Sequence, residues 1–299
     1  MINCLNLAVR ISTHKNMAAK REQKQYKWGI ALSGGGARGF AHLGALQALY
    51  EKGIRPEIFS GTSAGSLAGA FLADGYTPEE TFAIFKAVKF TDIIATTLPQ
   101  EGLFKTTGIQ AILKKKLRAK TFEDLKIPLR VVASDIEKGK PRIFDSGELI
   151  PAVVASCSVP IVFTPMEIEG KHYIDGGVFV NFPVSVIRKE CWRVIGIDIS
   201  PVTTMKYDKS LKYIIEQTMN YMVGANTVEE IKLCDYLIAS DEVSHYSLFD
   251  LKHAQAIYDK GYQMAVAHLE KNQKKWDADI RKPFPPKWKS HTRRLLGRP

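Results

Sequence analysis

Ser63 stands at the centre of Gly61-Thr62-Ser63-Ala64-Gly65, after the short apolar run 57–60 and before a helical run from Ser66 to Ala73. Strand, sharp turn and helix in that order lift a serine hydroxyl clear of a sheet. Glycine on each flank lets the chain back closely onto neighbouring backbone. The hydroxyl then sits at a helix N-terminus whose amides favour developing negative charge, which suits a nucleophile. A helix-capping serine with no chemical role fits the same five residues. The pattern alone leaves both readings open.

A glycine loop lies upstream. Trp28 to Leu32 reads as a buried strand, Ser33-Gly34-Gly35-Gly36-Ala37-Arg38-Gly39 follows, and an apolar helix runs from about Phe40 to Gly53. Such a loop presents bare amides at a helix start. Gly34-x-Gly36-x-x-Gly39 matches a dinucleotide fingerprint, in which those amides hold a pyrophosphate. They equally suit an oxyanion hole. A dinucleotide site wants an acidic residue at the far end of the next strand, about 20 residues on. Here that strand ends in Ser60-Gly61-Thr62-Ser63 and the only acid, Glu57, stands at its start. The oxyanion reading is the stronger.

A serine nucleophile needs a base, usually a histidine. His42 falls in the first helix, His14 and His291 lie in basic termini, and His172 lies in the segment that ends at Asp175. His245, His253 and His268 come late enough for the Ser-Asp-His order, yet they sit in a polar connection and a charged helix with no motif around them. Asp175 is the better candidate. It closes the run His172-Tyr173-Ile174 and precedes Gly176-Gly177, which permit a tight turn and close backbone approach. By itself this segment reads as a hairpin turn.

In order along the chain, Gly34 to Gly39, Gly61 to Gly65 and Asp175-Gly176-Gly177 resemble the patatin-like phospholipases, specifically bacterial members of the neuropathy-target-esterase type. The likeness spans 28–200 and continues more weakly to Lys271. Ala155-Ser156-Cys157-Ser158-Val159-Pro160, Phe163-x-Pro165 and Asn181-x-Pro183 extend it. The resemblance implies a three-layer α/β/α fold with a mainly parallel central sheet. It implies a dyad of Ser63 as nucleophile and Asp175 as base, with the oxyanion held by amides of Gly35, Gly36 and their neighbours Gly34, Ala37, Arg38 and Gly39. The lack of a histidine base is then expected, and so is the lack of a metal or cofactor. The activity implied is hydrolysis of lipid acyl esters, of phospholipids or lysophospholipids, through an acyl-enzyme. A non-catalytic lipid- or protein-binding regulator, and a thioesterase or peptidase with the same serine, are the alternatives. Arg38 is a candidate for offsetting a headgroup phosphate, or for holding the loop through carbonyls or a salt bridge.

The elements that must position these residues are also legible. Leu129 to Ser134 and Val194 to Ile199 are continuous apolar runs of the kind that form buried parallel strands. Thr77-Pro78-Glu79-Glu80 begins a helix with a capping box. Between Phe90 and Leu117 the pattern is irregular, and Phe90, Ile93, Ile94, Leu98, Leu103 and Phe104 suit either the mouth of an acyl cleft or ordinary core packing. Asp135, Ser158 and Asp198 are expected to serve strand-end hydrogen bonding.

With 299 residues and 45% apolar content, the chain suits one large α/β domain. The expected divisions are a basic extension 1–27, a catalytic domain 28–271 and a basic aromatic tail 272–299. Net charge is +11, with +5 in 1–27, +8 in 271–299 and −2 between them. The tails are candidates for peripheral contact with anionic membrane, at about 1 kcal/mol per cation. Nucleic-acid binding is not expected, because no module for it accompanies the charge. Nothing in the sequence speaks to oligomeric state. No stretch reaches 18 uncharged apolar residues, no secretory leader is evident, and Met17 is a candidate start. Four cysteines, Cys4, Cys157, Cys191 and Cys234, lack metal-ligand spacing and read as reduced, giving a cytoplasmic expectation.

Overall fold

Ile30 and Leu32 face one side of the first strand and Ala31 the other, and all three are fully buried. Both faces of the sheet are therefore covered, as continuous apolar strands require. In the computed structural model, residues 24–88, 90–93, 104–201, 207–248 and 250–284 are described. Ile94, Leu98 and Leu103 of the expected cleft mouth, Met17, and most of both basic termini lie outside these.

The strands are β1 (Tyr26–Leu32), β2 (Ile58–Thr62), β3 (Leu129–Asp135), β4 (Lys140–Phe144), β5 (Met166–Ile168), β6 (Lys171–Asp175), β7 (Cys191–Asp198) and β8 (Tyr236–Ala239). They form one sheet in the order β5-β6-β3-β2-β1-β7-β8, with β4 also paired to β3. From β3 through β2, β1 and β7 to β8 every pairing is parallel. β4, β5 and β6 join antiparallel. The mainly parallel α/β/α arrangement is the one expected.

Two helices carry the site. α1 (Phe40–Glu51) follows the glycine loop, and α2 (Ala64–Ala73) follows Ser63. α3 (Pro78–Lys86) starts at Thr77, whose hydroxyl accepts from the Glu80 amide while Glu80 accepts from the Thr77 amide, the expected capping box. Then come α4 (Thr107–Lys116), α5 (Leu149–Ser156), α6 (Val184–Arg188), α7 (Leu211–Ile231), α8 (Ala254–Lys271) and α9 (Gln273–Arg281). The larger core joins Ile30 and Leu32 to α1, α2, α5 and α8. A smaller one on the opposite face joins Ala31 and Ile58 to Phe182, Val184 and Ile187.

Packing continues past Lys271, where composition alone places the start of a tail. Trp276 of α9 is fully buried. It stacks on Tyr236 with ring centroids 3.6 Å apart. Its indole N–H donates to His268 Nδ1 at 3.3 Å. Asp279 accepts from Arg193 and from the Tyr236 hydroxyl, both at 2.7 Å. Trp276 is thus a core residue and is withdrawn from any surface contact of the C-terminal segment.

Candidate active site

Ser63 adopts φ 51° and ψ −121°, a strained conformation for a residue with a side chain. A set of hydrogen bonds holds it there. Its amide donates to the Ser156 hydroxyl at 2.8 Å, and that hydroxyl donates to the Val132 carbonyl at 2.6 Å. The Ser63 carbonyl accepts from the Ser66 amide at 2.9 Å and the Ser66 hydroxyl at 2.7 Å. The glycine at position 65 is compulsory, because a Cβ there would stand 2.2 Å from the Leu32 carbonyl oxygen. The elbow is consequently pressed against the end of β1, whose next residues are the glycine loop.

Asp175 reaches Ser63 through sheet register. β2 runs parallel to β3 and pairs Thr62 with Val132. β6 runs antiparallel to β3 and pairs Asp175 with Ala133. Since β4 occupies the other edge of β3, β2 and β6 share one edge and meet end to end. The chain leaves that meeting point through Gly176, where a Cβ would lie 2.2 Å from the Val132 carbonyl oxygen. The Ser63 side chain stands beside the Asp175 carboxylate and lowers its pKa. The Gly177 amide donates to Asp175 Oδ1 at 2.7 Å. The Asp175 backbone is fixed as well, its amide donating to the Ser158 carbonyl at 2.9 Å. Its carbonyl accepts from the Ser134 hydroxyl, also at 2.9 Å.

Burial raises the Asp175 carboxyl from its ordinary 3.8 to about 6, with the Ser63 side chain and the Gly177 hydrogen bond pulling in the opposite direction. Desolvation wins, which leaves a carboxylate that is ionised at neutral pH and more basic than an exposed aspartate. Cys157, also buried beside the elbow, has its thiol pushed upward by desolvation and then by the Asp175 charge. It stays a protonated thiol with the Ser66 hydroxyl 3.8 Å away.

The glycine loop divides into occupied and open amides. The Gly34 amide donates to the Asn181 carbonyl at 3.0 Å, Ala37 to Leu248 at 2.8 Å and Arg38 to Gly35 at 3.2 Å. Among the described hydrogen bonds none uses the amides of Gly35 and Gly36. Gly36 lines the same space as Ser63. Arg38 is buried and turned away, donating to the carbonyls of Tyr246 at 2.8 Å and Ser244 at 3.0 Å. It ties the loop to the segment before α8 and lines neither cavity at the serine.

Two cavities meet at Ser63. The larger, about 170 Å³, is apolar and is walled by Phe40 and Leu43 of α1, Leu67 and Ala68 of α2, Phe85 of α3, and Ile109, Ile112 and Leu113 of α4. Within the irregular stretch 90–117, then, α4 lines the cavity. The smaller, about 60 Å³, contains Asp175 and lies between the aspartate turn and α7. Among the described residues no histidine lines either. His42 bonds the Ser33 carbonyl at 2.8 Å and is lowered to about 4 by burial. His253 pairs with Asp250, and His268 accepts from Trp276. Asp135, Ser158 and Asp198 serve local backbone: Asp135 accepts from the Lys138 amide, Asp198 from the Ser200 amide, and Ser158 donates to the Val154 carbonyl.

Asn226 of α7 is a contributor that no motif announces. Its side-chain N–H donates to the Gly177 carbonyl at 2.9 Å, and its oxygen accepts from the Asn181 amide at 2.9 Å. One side chain therefore binds the aspartate turn to the residue whose carbonyl holds Gly34. Its only sequence signal is an asparagine inside a helix, where that residue is a weak former. Among the described residues, no cluster of His, Cys, Asp and Glu is placed to hold a metal, and no helix is long and apolar enough to cross a membrane.

The chain is similar to known proteins. The family model described as patatin-like phospholipase matches residues 30–187, more than half of the chain. YqhO of Bacillus subtilis is 34% identical over 219 residues, covering 62% of this chain and 75% of its own length. An NTE family protein of Mycobacterium tuberculosis is 31% identical over 160 residues, 53% of this chain and 44% of that protein. Lysophospholipase NTE1 of Mycosarcoma maydis is 27% identical over 85% of this chain but only 15% of its own. Among solved structures, VipD from Legionella pneumophila aligns with a TM-score of 0.46 at 15% identity, over 83% of this chain and 67% of that one. With the match covering both the elbow and the aspartate turn, the chain belongs to the patatin-like phospholipase family of carboxylic ester hydrolases.

Proposed function

We propose that this protein hydrolyses lipid acyl esters by a Ser63–Asp175 dyad and an acyl-enzyme. The observation that carries the reading is the placement of Ser63, on the wall of an apolar cavity, beside a buried and basic Asp175. Asp175 takes the Ser63 proton as Oγ attacks the ester carbonyl. The oxyanion faces the open amides of Gly35 and Gly36, at the N-terminal side of α1. Collapse breaks the ester C–O bond, and the departing alkoxide takes the proton from Asp175. Water then gives a proton to Asp175 and attacks the acyl-serine. Ser63 leaves with that proton, and the fatty acid is released.

The strained backbone at Ser63 supports the nucleophile role, since such strain is retained where a hydroxyl must be held in one direction. The apolar cavity accommodates an acyl chain. Lysophospholipid and phospholipid esters are the substrate classes that the relatives' names put first. Peripheral membrane contact and a cytoplasmic location agree with a lipid substrate.

The test treats wild type, Ser63→Ala and Asp175→Asn with a fluorophosphonate probe and then assays fatty esters. Labelling and turnover are expected in wild type alone, with Asp175→Asn slowed by at least about 100-fold. Labelling that persists in Ser63→Ala overturns the nucleophile assignment.

A further inference from the structure

We infer that the leaving-group side of this site selects alcohols that carry no net negative charge, so that acylglycerols are preferred over esters of glycerol phosphate. The inference rests on the Ser63–Asp175 reading and concerns which half of the substrate goes where.

Among the described residues the larger cavity offers only Ser63 and Cys157 as polar side chains. A fatty acyl chain belongs there, and the alcohol half must then occupy the smaller cavity, which shares Ser63, Gly36, Val159 and Leu248 with it. Besides Ser63, its polar side chains among the described residues are Asp175, Asn181, Ser200 and Asn220. Among the described residues it has no lysine, arginine or histidine, and Asp175 is its one ionisable group.

These polar groups suit hydroxyls. Asn181 is 2% exposed and its side-chain nitrogen has no hydrogen-bond partner among the described residues. It packs against Gly34 and Gly177, between the oxyanion loop and the aspartate turn. An unpartnered buried amide is unfavourable until something accepts from it, and an alcohol or ester oxygen does so without a charge. Ser200 is already committed, donating to the Gly34 carbonyl at 2.6 Å.

A phosphate monoester in this space meets the opposite environment. Arg38, the motif residue suited to phosphate, is held by the Ser244 and Tyr246 carbonyls. An anionic headgroup would lie beside the Asp175 carboxylate with no lysine, arginine or histidine of the described lining to offset it. It would also keep the proton on Asp175 and so remove the base. Like charges in a poorly solvated site discriminate by roughly tenfold or more. A zwitterionic headgroup carries its own compensating cation and escapes most of this penalty.

The decisive comparison uses the full chain and two monomeric substrates with one acyl chain, a monoacylglycerol and the matching lysophosphatidic acid, each below its micelle concentration. The kcat/KM for monoacylglycerol should exceed that for lysophosphatidic acid by about tenfold or more. Met219→Lys places a cation in the smaller cavity. It should narrow the ratio severalfold by raising turnover of the anionic ester, and turnover of monoacylglycerol reports that it folds. A ratio near or below one with Ser63 labelled by fluorophosphonate overturns this inference alone, as does an unchanged ratio in active Met219→Lys. Turnover of neither ester, with no labelling of Ser63, overturns the dyad reading and this inference with it.

Discussion

Thr62 and Asp175 pair with adjacent residues of β3, Val132 and Ala133, from strands that run in opposite directions. The two strands therefore end facing each other on one edge, and the next residue after Thr62 meets the Asp175 carboxylate. Ser63 and Asp175 are brought together by backbone pairing and do not depend on flexible side chains to find one another. Hydroxyls of β2 strengthen the junction. Ser60 donates to the Pro183 carbonyl at 2.7 Å and Thr62 to the Val180 carbonyl at 2.8 Å, tying the chain that follows the aspartate turn.

Activity should follow the ionisation of Asp175. The base form accepts the Ser63 proton, so kcat/KM should rise with pH along a limb of apparent pKa about 6 and level off above it. The measurement is a pH profile on a soluble short-chain ester with stability checked at each pH. A limb near pH 4 would mean that desolvation does not govern this carboxyl.

The raised carboxyl also makes Asp175 a burden on the fold. It titrates at about 6 when folded against 3.8 ordinarily. As pH rises, the unfolded chain loses this proton first, so native stability falls between about pH 4 and 6 and stays lowered above. Asp175→Asn removes that penalty while still accepting from the Gly177 amide. At pH 7.5 the variant should be more stable by up to about 3 kcal/mol, since each tenfold difference in proton affinity between the folded and unfolded chain is worth ~1.4 kcal/mol. At pH 4 it should show no gain. Urea unfolding at both pH values checks this, and an equal gain at both would assign the effect to packing.

Asn226 should influence Asp175 through the aspartate turn. Asn226→Ala frees the Gly177 carbonyl and the Asn181 amide. Loss of hydrogen bonds worth about 1–1.5 kcal/mol should lower kcat by roughly tenfold with little change in KM. Weakening the Gly177 amide bond to Asp175 should also move the acid limb of the pH profile upward, since that bond holds the carboxyl down. A purely structural role predicts a lower melting temperature with the limb unmoved.

Ile112 is a half-buried wall residue of the larger cavity, so enlarging it there shortens the space without disturbing the sheet. Ile112→Trp should reduce kcat/KM for long-chain esters by about tenfold, the equivalent of losing burial of roughly two methylenes. Butyrate esters should be unaffected. Equal losses across chain length would remove this cavity from acyl binding.

Much of this was legible in residue order. Strand, turn and helix around Ser63, the glycine loop and the turn at Asp175 are local features, and local features are what side-chain size and glycine placement dictate. Phe40 to Glu51 forms the helix expected to end near Gly53, and Pro78 follows its capping residue Thr77 as the pattern requires. The absence of a credible histidine was likewise visible, because no histidine lies in a motif that would bring it to the serine.

Only the tertiary structure decided which groups remain available. All six residues from Gly34 to Gly39 look equivalent as amide donors, but Asn181, Leu248 and Gly35 carbonyls occupy those of Gly34, Ala37 and Arg38. Arg38 could have faced a phosphate until the Ser244 and Tyr246 carbonyls were seen to hold it. Trp276, in a segment with the composition of a basic tail, turns out to be core. The cavity walls combine four helices between Phe40 and Leu113 with Cys157, Phe163, Leu248 and Leu251 from far along the chain, and the basicity of Asp175 comes from how completely its surroundings exclude water. Turns and periodicity are written within a few residues. Register, burial and the occupation of a donor depend on residues far apart in the chain, and no local pattern encodes them.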